Sequence, residues 1–344
     1  MIDTKTYQRL HKRPPQNERR IYIDEAIDRF DTWPETVAND EQPNDKVLTV
    51  LPPNIFGFDF QEKEWISLQV DLLAEIKWNK TAFNRLVLPA KTKELIQALV
   101  TSKISDQVRD VIENKGNGLV VLLHGGPGTG KTLTAESVAE IAEKPLYRVT
   151  CGDIGTNATA VEKYLTSIFH LGKIWGCVLL LDEADVFLEE RSLADLQRNS
   201  FVSVFLRMLE YYDGILILTS NRVGTFDTAF RSRIQVSLHY PNLSRSARKK
   251  IWRNLLDMLE EMDGESDVAE LERHLDDLAE DEMNGRQIRN CLNTARQLAA
   301  YRKQTLGWQH LEQVMQTSQE FNRYLKEVHE GLTEDELARG ENVR

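Results

Sequence analysis

Cysteine is scarce in this sequence, and the patterns that give cysteine a structural role are missing. The 344 residues include three cysteines, Cys151, Cys177 and Cys291, which lie far apart and form neither a C-x-x-C pair nor a cluster with histidine. Zinc sites and disulfide frameworks both need cysteines at characteristic spacings. We therefore predict neither of them, and we expect the protein to work in a reducing compartment.

Long apolar stretches are missing as well. No run approaches the roughly 18 apolar residues that suggest a membrane-spanning helix. The first residues, MIDTK, lack the charged-then-apolar pattern of a secretory signal. These features predict a protein without a membrane span, and we expect it in the cytoplasm, with the nucleus and the organelles left open.

Basic residues are fewer than acidic ones in this sequence. Lysine and arginine number 43 against 54 aspartates and glutamates, which gives a net charge of −11. Nucleic-acid-binding proteins usually carry a basic surface, so this total disfavours a nucleic-acid partner, although a local basic channel stays compatible with it. A hydrophobic content of 41% is enough for a real core, and the length allows two or three domains.

One short segment carries the strongest chemical signal. Residues 125–132 read GGPGTGKT and match the phosphate-binding pattern G-x-x-x-x-G-K-[ST]. An apolar run precedes them and a helix-forming run follows, so the context is strand, loop, helix, and a chance glycine-rich turn is disfavoured. Glycines let several backbone N–H groups point at phosphate oxygens, and the helix N-terminus adds its dipole. The residues expected to contact the phosphates are Gly126, Pro127, Gly128, Thr129, Gly130, Lys131, Thr132 and Leu133.

Two carboxylates follow a second apolar run. Residues 177–183 read CVLLLDE, so a buried strand delivers Asp182 and Glu183 to its exposed end. In P-loop proteins such an aspartate holds Mg²⁺ together with the hydroxyl of the phosphate loop, here Thr132. The neighbouring glutamate is placed to polarise a water molecule. The alternative is an ordinary strand that ends in an acidic turn, which the phosphate loop fifty residues earlier disfavours.

Three further features each have a plain alternative. Asn221 ends another apolar strand and could bind a phosphate or a water, or simply cap the strand. Arg231 and Arg233 precede a short strand and could reach a neighbouring subunit, where such an arginine accelerates phosphoryl transfer, or they could form surface salt bridges. Arg286 falls in the first turn of a helix, where a cation opposes the helix dipole; this indicates either an anionic partner or simple solvation.

The order of the elements predicts the fold. Apolar strands at 119–124, 146–150, 177–181 and 215–219 alternate with amphipathic helices, a pattern typical of a parallel sheet covered on both faces. We predict an α/β fold, a P-loop NTPase sheet sandwiched by helices and followed by a small all-α lid domain. The predicted organisation is a poorly ordered segment at 1–45, a linker with short strands and a helix at 46–118, the nucleotide-binding domain at 119–240, the lid at 241–320 and a tail at 321–344.

In combination, these motifs resemble those of the AAA family of ATPases. The resemblance covers about 119–318, and the segment from Leu51 to Val100 looks like the linker of a large group of fungal AAA proteins. It implies an ATP-driven ring, commonly a hexamer, that holds ATP or ADP with Mg²⁺ at each subunit interface. It also implies the following roles: phosphate and magnesium binding by Lys131 and Thr132, magnesium binding by Asp182, water activation by Glu183, a first sensor at Asn221, a second sensor at Arg286, and a finger at Arg231 or Arg233.

The sequence departs from the family pattern in two places. A single residue, Ser232, separates the two arginines, whereas two residues often do so in the family; we favour Arg233 as the finger. The stretch at the position of the central-pore loop, residues 151–156, carries no aromatic residue, which leaves open whether a polypeptide is threaded through the ring.

Three functions agree with these motifs. The leading hypothesis is an ATPase that couples hydrolysis to the remodelling of a protein partner. A nucleic-acid-associated motor or loader is the second hypothesis, and the acidic balance speaks against it. A nucleotide-dependent scaffold that does not hydrolyse ATP is the third, and the intact set of acidic and basic motifs disfavours it.

Overall fold

The computed structural model describes residues 1–11, 52–104, 118–154, 158–188, 196–222, 226–262 and 266–328. They divide into two compact units, Met1–Lys77 and Trp78–Arg344, which are described separately. Most of the predicted N-terminal segment, the end of the predicted tail and two residues of the pore-loop stretch lie outside the described residues.

The first unit is built on a β-hairpin. Its strands, β1 (Asn54–Asp59) and β2 (Glu64–Gln69), pair antiparallel with Phe58 opposite Trp65, and a helix, α1 (Thr4–Leu10), precedes them. The rings of Phe58 and Trp65 meet edge to face at 5.5 Å. The Met1 amino group donates to the Phe58 carbonyl at 2.8 Å, so the chain start is fixed to the edge of β1.

A five-stranded parallel sheet forms the centre of the second unit. Its strands are β3 (Leu119–Gly125), β4 (Leu146–Thr150), β5 (Val178–Asp182), β6 (Ile215–Ser220) and β7 (Val236–Tyr240), in the spatial order β4-β5-β6-β3-β7. Every residue of β5 and β6 is buried, as expected for strands covered on both faces. The four predicted strands are confirmed to within one residue at either end.

Helices cover both faces of this sheet. On one face, Leu180 belongs to the same core cluster as Val100 and Val138, from α3 (Ala90–Ile104) and α4 (Lys131–Ala142). On the other face, Leu179 lies against Gly172 of the helix α6 (Ala158–Trp175). The predicted sandwich is therefore confirmed. The remaining helices of this part are α2 (Thr81–Arg85), α5 (Cys151–Ile154), α7 (Asp185–Leu188), α8 (Leu196–Tyr211) and α9 (Thr228–Arg231).

A helical region follows the sheet and has its own core. Ser244 accepts a hydrogen bond from the Ala247 N–H at 3.2 Å and so caps the first helix. Trp252 is fully buried and donates its indole N–H to the Leu278 carbonyl at 3.1 Å. The predicted all-α lid is confirmed, with helices α10 (Arg245–Met262), α11 (Val268–Arg273), α12 (Leu275–Leu278), α13 (Gly285–Arg302) and α14 (Trp308–Val328).

Among the described residues, no helix combines the length and apolar character that crossing a membrane requires.

Candidate active site

The phosphate loop joins the end of β3 to the start of α4. Three of its glycines have positive φ: 146° at Gly125, 71° at Gly128 and 102° at Gly130. A Cβ atom at Gly125 would lie 2.1 Å from the Tyr240 carbonyl oxygen, and one at Gly128 would lie 2.4 Å from Oδ1 of Asn284. Both positions therefore need glycine for space as well as for conformation. The loop places backbone N–H groups and a helix N-terminus at one end of the sheet.

Lys131 joins this loop to the end of a neighbouring strand. Its Nζ donates to the carbonyls of Gly125 at 2.8 Å and Gly126 at 2.7 Å, and to Oδ1 of Asn221 at 2.9 Å. The lysine is buried, with 7% of its surface exposed. Asn221 directly follows β6, so the structure brings two predicted site residues, ninety positions apart, into contact.

Thr132 and Asp182 meet at the same place. The Thr132 hydroxyl donates to the two carboxylate oxygens of Asp182 at 3.2 and 3.4 Å. Asp182 is buried at the end of β5 and accepts two further hydrogen bonds, from the Thr219 hydroxyl at 2.6 Å and from Nη2 of Arg148 at 2.6 Å. A buried carboxylate needs such donors to keep its charge.

Glu183 turns away from the strand that ends at Asp182. Its φ is 57°, in the left-handed region, and its side chain is exposed. Its backbone N–H donates to the Thr219 hydroxyl at 2.9 Å. The same threonine thus holds Asp182 by its proton and Glu183 by its oxygen.

The lid contributes the N-terminus of α13. The Gly285 N–H donates to the Gly128 carbonyl at 2.9 Å, and Asn284 and Gln287 form a reciprocal capping box around the first turn. Arg286 is exposed in this turn, one residue from the contact with the phosphate loop. The structure therefore places the predicted second sensor at the border between the lid and the loop.

The two candidate fingers differ in their surroundings. Arg233 donates from Nη1 to the Ala229 carbonyl at 2.9 Å and pairs through Nη2 with Glu210 at 3.4 Å. Arg231 is exposed at the end of α9 and makes no side-chain hydrogen bond or ion pair within the described part of the chain. No such bond among the described residues links either arginine to Thr132 or Asp182.

Three polar residues of this site were not predicted. Thr219 is the polar residue at the end of an apolar strand, and Arg148 is the single charge in β4, whose sequence is LYRVT. Glu136 follows Thr132 by four positions, which puts both on one face of α4. Burial raises the pKa of Glu136; Asp182 acts in the same direction, and Arg148 and Arg289 oppose it. For Thr219 and Arg148, a polar residue within an otherwise largely apolar strand was the available signal; for Glu136, it was the four-residue spacing from Thr132.

The residues present fit a magnesium ion held jointly with phosphate oxygens. Mg²⁺ prefers hard oxygen ligands and in nucleotide sites is bound by one or two protein groups plus substrate phosphates. The Asp182 carboxylate and the Thr132 hydroxyl supply such a pair beside the phosphate loop. No group of three or more His, Cys, Asp or Glu side chains that could hold a metal without a nucleotide occurs among the described residues.

The parallel sheet, the phosphate loop and the acidic strand end together define a P-loop protein of the nucleotide-binding class. Two family models match successive parts of the chain: the ATPase family associated with various cellular activities (AAA) over residues 121–242, and the fungal AAA+ ATPase lid domain over residues 243–332. The chain belongs to the AAA family. The resemblance drawn from the motifs is confirmed; the fungal model matches the lid, and neither model covers residues 51–100, from which the fungal resemblance was drawn.

Named relatives are distant. The chain is 27% identical over 180 residues to human ATPase family AAA domain-containing protein 3B, a match that covers 48% of this chain and 28% of the relative. It is 29% identical over 186 residues to the Drosophila melanogaster homologue of protein 3A, covering 49% of this chain and 30% of the relative. The matched region thus spans less than a third of either relative.

Proposed function

We propose that the protein binds ATP with Mg²⁺ and hydrolyses it. The observation that carries the proposal is the contact of the Thr132 hydroxyl with the Asp182 carboxylate, 3.2 Å away. It joins the helix that follows the phosphate loop to the acidic end of β5, and this is the pair of oxygens that a magnesium–triphosphate complex needs in P-loop proteins.

Binding begins at the phosphate loop. Backbone N–H groups at the start of α4 donate to phosphate oxygens, and the helix dipole favours their negative charge. The Lys131 ammonium exchanges the loop carbonyls for β- and γ-phosphate oxygens. Asn221 already touches Lys131 at 2.9 Å, so its amide lies within reach of the same γ-phosphate.

Hydrolysis uses Glu183 as the base. The Glu183 carboxylate accepts a proton from water as the water oxygen bonds to the γ-phosphorus and the bond to the ADP oxygen breaks. Mg²⁺ held by Asp182 and Thr132 would neutralise charge on the β- and γ-oxygens. The exposed position of Glu183 directly after the buried strand supports this role, because it leaves the side chain accessible to water.

The finger is assigned to Arg231 and not to Arg233. A finger has to reach the γ-phosphate of a neighbouring subunit, and Arg231 is exposed at the end of a short helix. Arg233 is held by Ala229 and Glu210, which makes it a support for the segment that carries Arg231. This assignment requires an oligomer, for which a hexameric ring is the form that the family resemblance favours.

The lid couples the nucleotide to motion. The hydrogen bond between Gly285 and Gly128 ties the start of α13 to the phosphate loop, so a change at the loop is transmitted directly to the lid. Arg286 is then in position to sense the γ-phosphate. We propose that the resulting lid movement remodels a protein partner; a net charge of −11 disfavours a nucleic acid in that place.

The direct test is phosphate release by the purified full chain in the presence of Mg²⁺ and ATP. We expect measurable hydrolysis that Lys131→Ala abolishes, while Lys163→Ala, at an exposed lysine of α6, leaves it unchanged. A wild-type protein that neither binds ATP nor releases phosphate at any protein concentration would refute the proposal.

A further inference from the structure

Arg148 is hydrogen-bonded to one carboxylate oxygen of Asp182, the proposed magnesium ligand. Nη2 of Arg148 donates to Oδ2 of Asp182 at 2.6 Å, and the Asp182 side chain is only 8% exposed. The other oxygen, Oδ1, accepts the Thr219 proton at 2.6 Å. The guanidinium thus supplies positive charge at the place where a divalent cation would bind the same carboxylate.

Arg148 is positioned so that it can leave the Asp182 carboxylate as well as bind it. It extends from β4, an edge strand of the sheet, and half of its side chain is exposed. Its neighbours Tyr147 and Val149 are buried, so the pleat directs Arg148 to the opposite face of the strand. An edge position with solvent access lets the side chain change partners without disturbing the core.

A second carboxylate lies one helical turn from Thr132, whose hydroxyl contacts Asp182. Glu136 lies on α4, on the same face as Thr132, and Arg148 and Asp182 are both close enough to influence the pKa of its carboxyl. Arg289 of the lid helix α13 acts on Glu136 as well. The arginine that pairs with Asp182 therefore has a second carboxylate within electrostatic reach.

We propose that Arg148 is a positioning residue that holds Asp182 in the absence of metal and moves to Glu136 when magnesium takes its place. The proposal rests on the proposed nucleotide site. The buried carboxylate keeps a counter-charge in both states, so the site stays formed without metal. Because the arginine and the metal compete for Oδ2, the competition weakens magnesium binding in the wild-type protein.

The test compares the affinity for fluorescent ADP in EDTA with that in saturating Mg²⁺. The ratio of the two dissociation constants measures how strongly magnesium supports nucleotide binding. Arg148→Gln removes the competitor, so we expect the ratio to rise about three- to tenfold, the range for a charge-assisted bond that is partly open to solvent. Arg148→Lys keeps the charge and should stay near the wild-type ratio. Arg207→Gln removes a similarly exposed arginine, which pairs with the more open carboxylate of Glu162, and should leave the ratio unchanged.

The proposed movement of Arg148 to Glu136 also predicts a variant in which the ratio of the two dissociation constants changes in the opposite direction. Glu136→Gln removes the second acceptor, so Arg148 stays on Asp182, and we expect the ratio to fall. This variant keeps the proposal testable if Arg148→Gln does not fold. An unchanged or reduced ratio in Arg148→Gln, or shifts of the two variants in the same direction, would overturn the proposal. Failure of the wild type to bind ADP in either buffer would count against the nucleotide site itself.

Discussion

The hydroxyl of Thr219 donates to Oδ1 of Asp182 at 2.6 Å. Thr219 is 1% exposed and also accepts the backbone N–H of Glu183 at 2.9 Å. One side chain at the end of β6 therefore contacts both acidic residues at the end of the neighbouring strand β5. The carboxylate of the proposed metal ligand and the backbone of the proposed base are in this way held by one hydroxyl before any ligand binds.

Replacing Thr219 with valine keeps its shape and removes its hydroxyl. A hydrogen bond to a charged group is worth about 1.5–3 kcal/mol, so we expect Thr219→Val to lower the hydrolysis rate at saturating Mg²⁺ and ATP by roughly ten- to a hundredfold. ADP affinity in EDTA should be nearly unchanged, because the phosphate loop is not touched. Thr219→Ser restores the hydroxyl and should recover most of the rate; if serine were as slow as valine, the hydroxyl would not be the cause.

Glu183→Gln separates binding from chemistry. A glutamine cannot accept the proton of water, so we expect turnover to fall about 10²–10⁴-fold, as for other general bases, with ATP affinity retained. Phosphate release and fluorescent ATP binding measure the two effects. Glu143→Gln is a matched control, because Glu143 is also a glutamate with positive φ, at 52°, near the other end of α4. Normal turnover in Glu183→Gln would show that Glu183 is not the general base.

The finger assignment can be tested by mixing variants. We expect Arg231→Ala to lower hydrolysis about 10³-fold or more, the effect of an arginine supplied to the transferring phosphate. Lys131→Ala subunits cannot bind ATP but still carry Arg231. Mixing the two inactive proteins should restore activity at interfaces where Arg231 of one reaches ATP of the other. Mixtures that stay inactive while the variants co-assemble would contradict an arginine acting between subunits.

The contact between loop and lid predicts a specific rescue. Gly128→Ala combines a φ of 71° with a clash against Asn284, so we expect a lower melting temperature and weaker ADP binding. Serine also caps helices but is shorter than asparagine. Asn284→Ser should therefore recover part of the loss in the double variant, measured by thermal unfolding. Gly130→Ala has nothing within 4 Å of its added Cβ, so Asn284→Ser should give it no such recovery.

The sheet and the motif residues could be predicted because their signals are local. Wholly apolar strands between amphipathic helices define the sandwich, and polar residues that directly follow parallel strands meet at one edge of the sheet. Asp182 and Asn221 lie at such strand ends, and they contact Thr132 and Lys131 of the phosphate loop, respectively.

Other features depend on contacts that no local pattern encodes. Arg148 reaches a partner 34 positions away, and its role follows from the pleat and from the neighbouring strand. The spacing of the two arginines leaves the finger open between Arg231 and Arg233, and the contact of Arg233 with Glu210, on which our proposal of Arg231 rests, is not visible in the sequence.

The central claim is that the phosphate loop and the end of β5 form one magnesium–nucleotide site. Calorimetric titration of ADP into the wild type and into Asp182→Asn, each with and without Mg²⁺, tests it most directly. We predict that magnesium tightens binding to the wild type, and that Asp182→Asn keeps the magnesium-free affinity but loses the magnesium effect. An equal magnesium effect in both proteins would contradict the account.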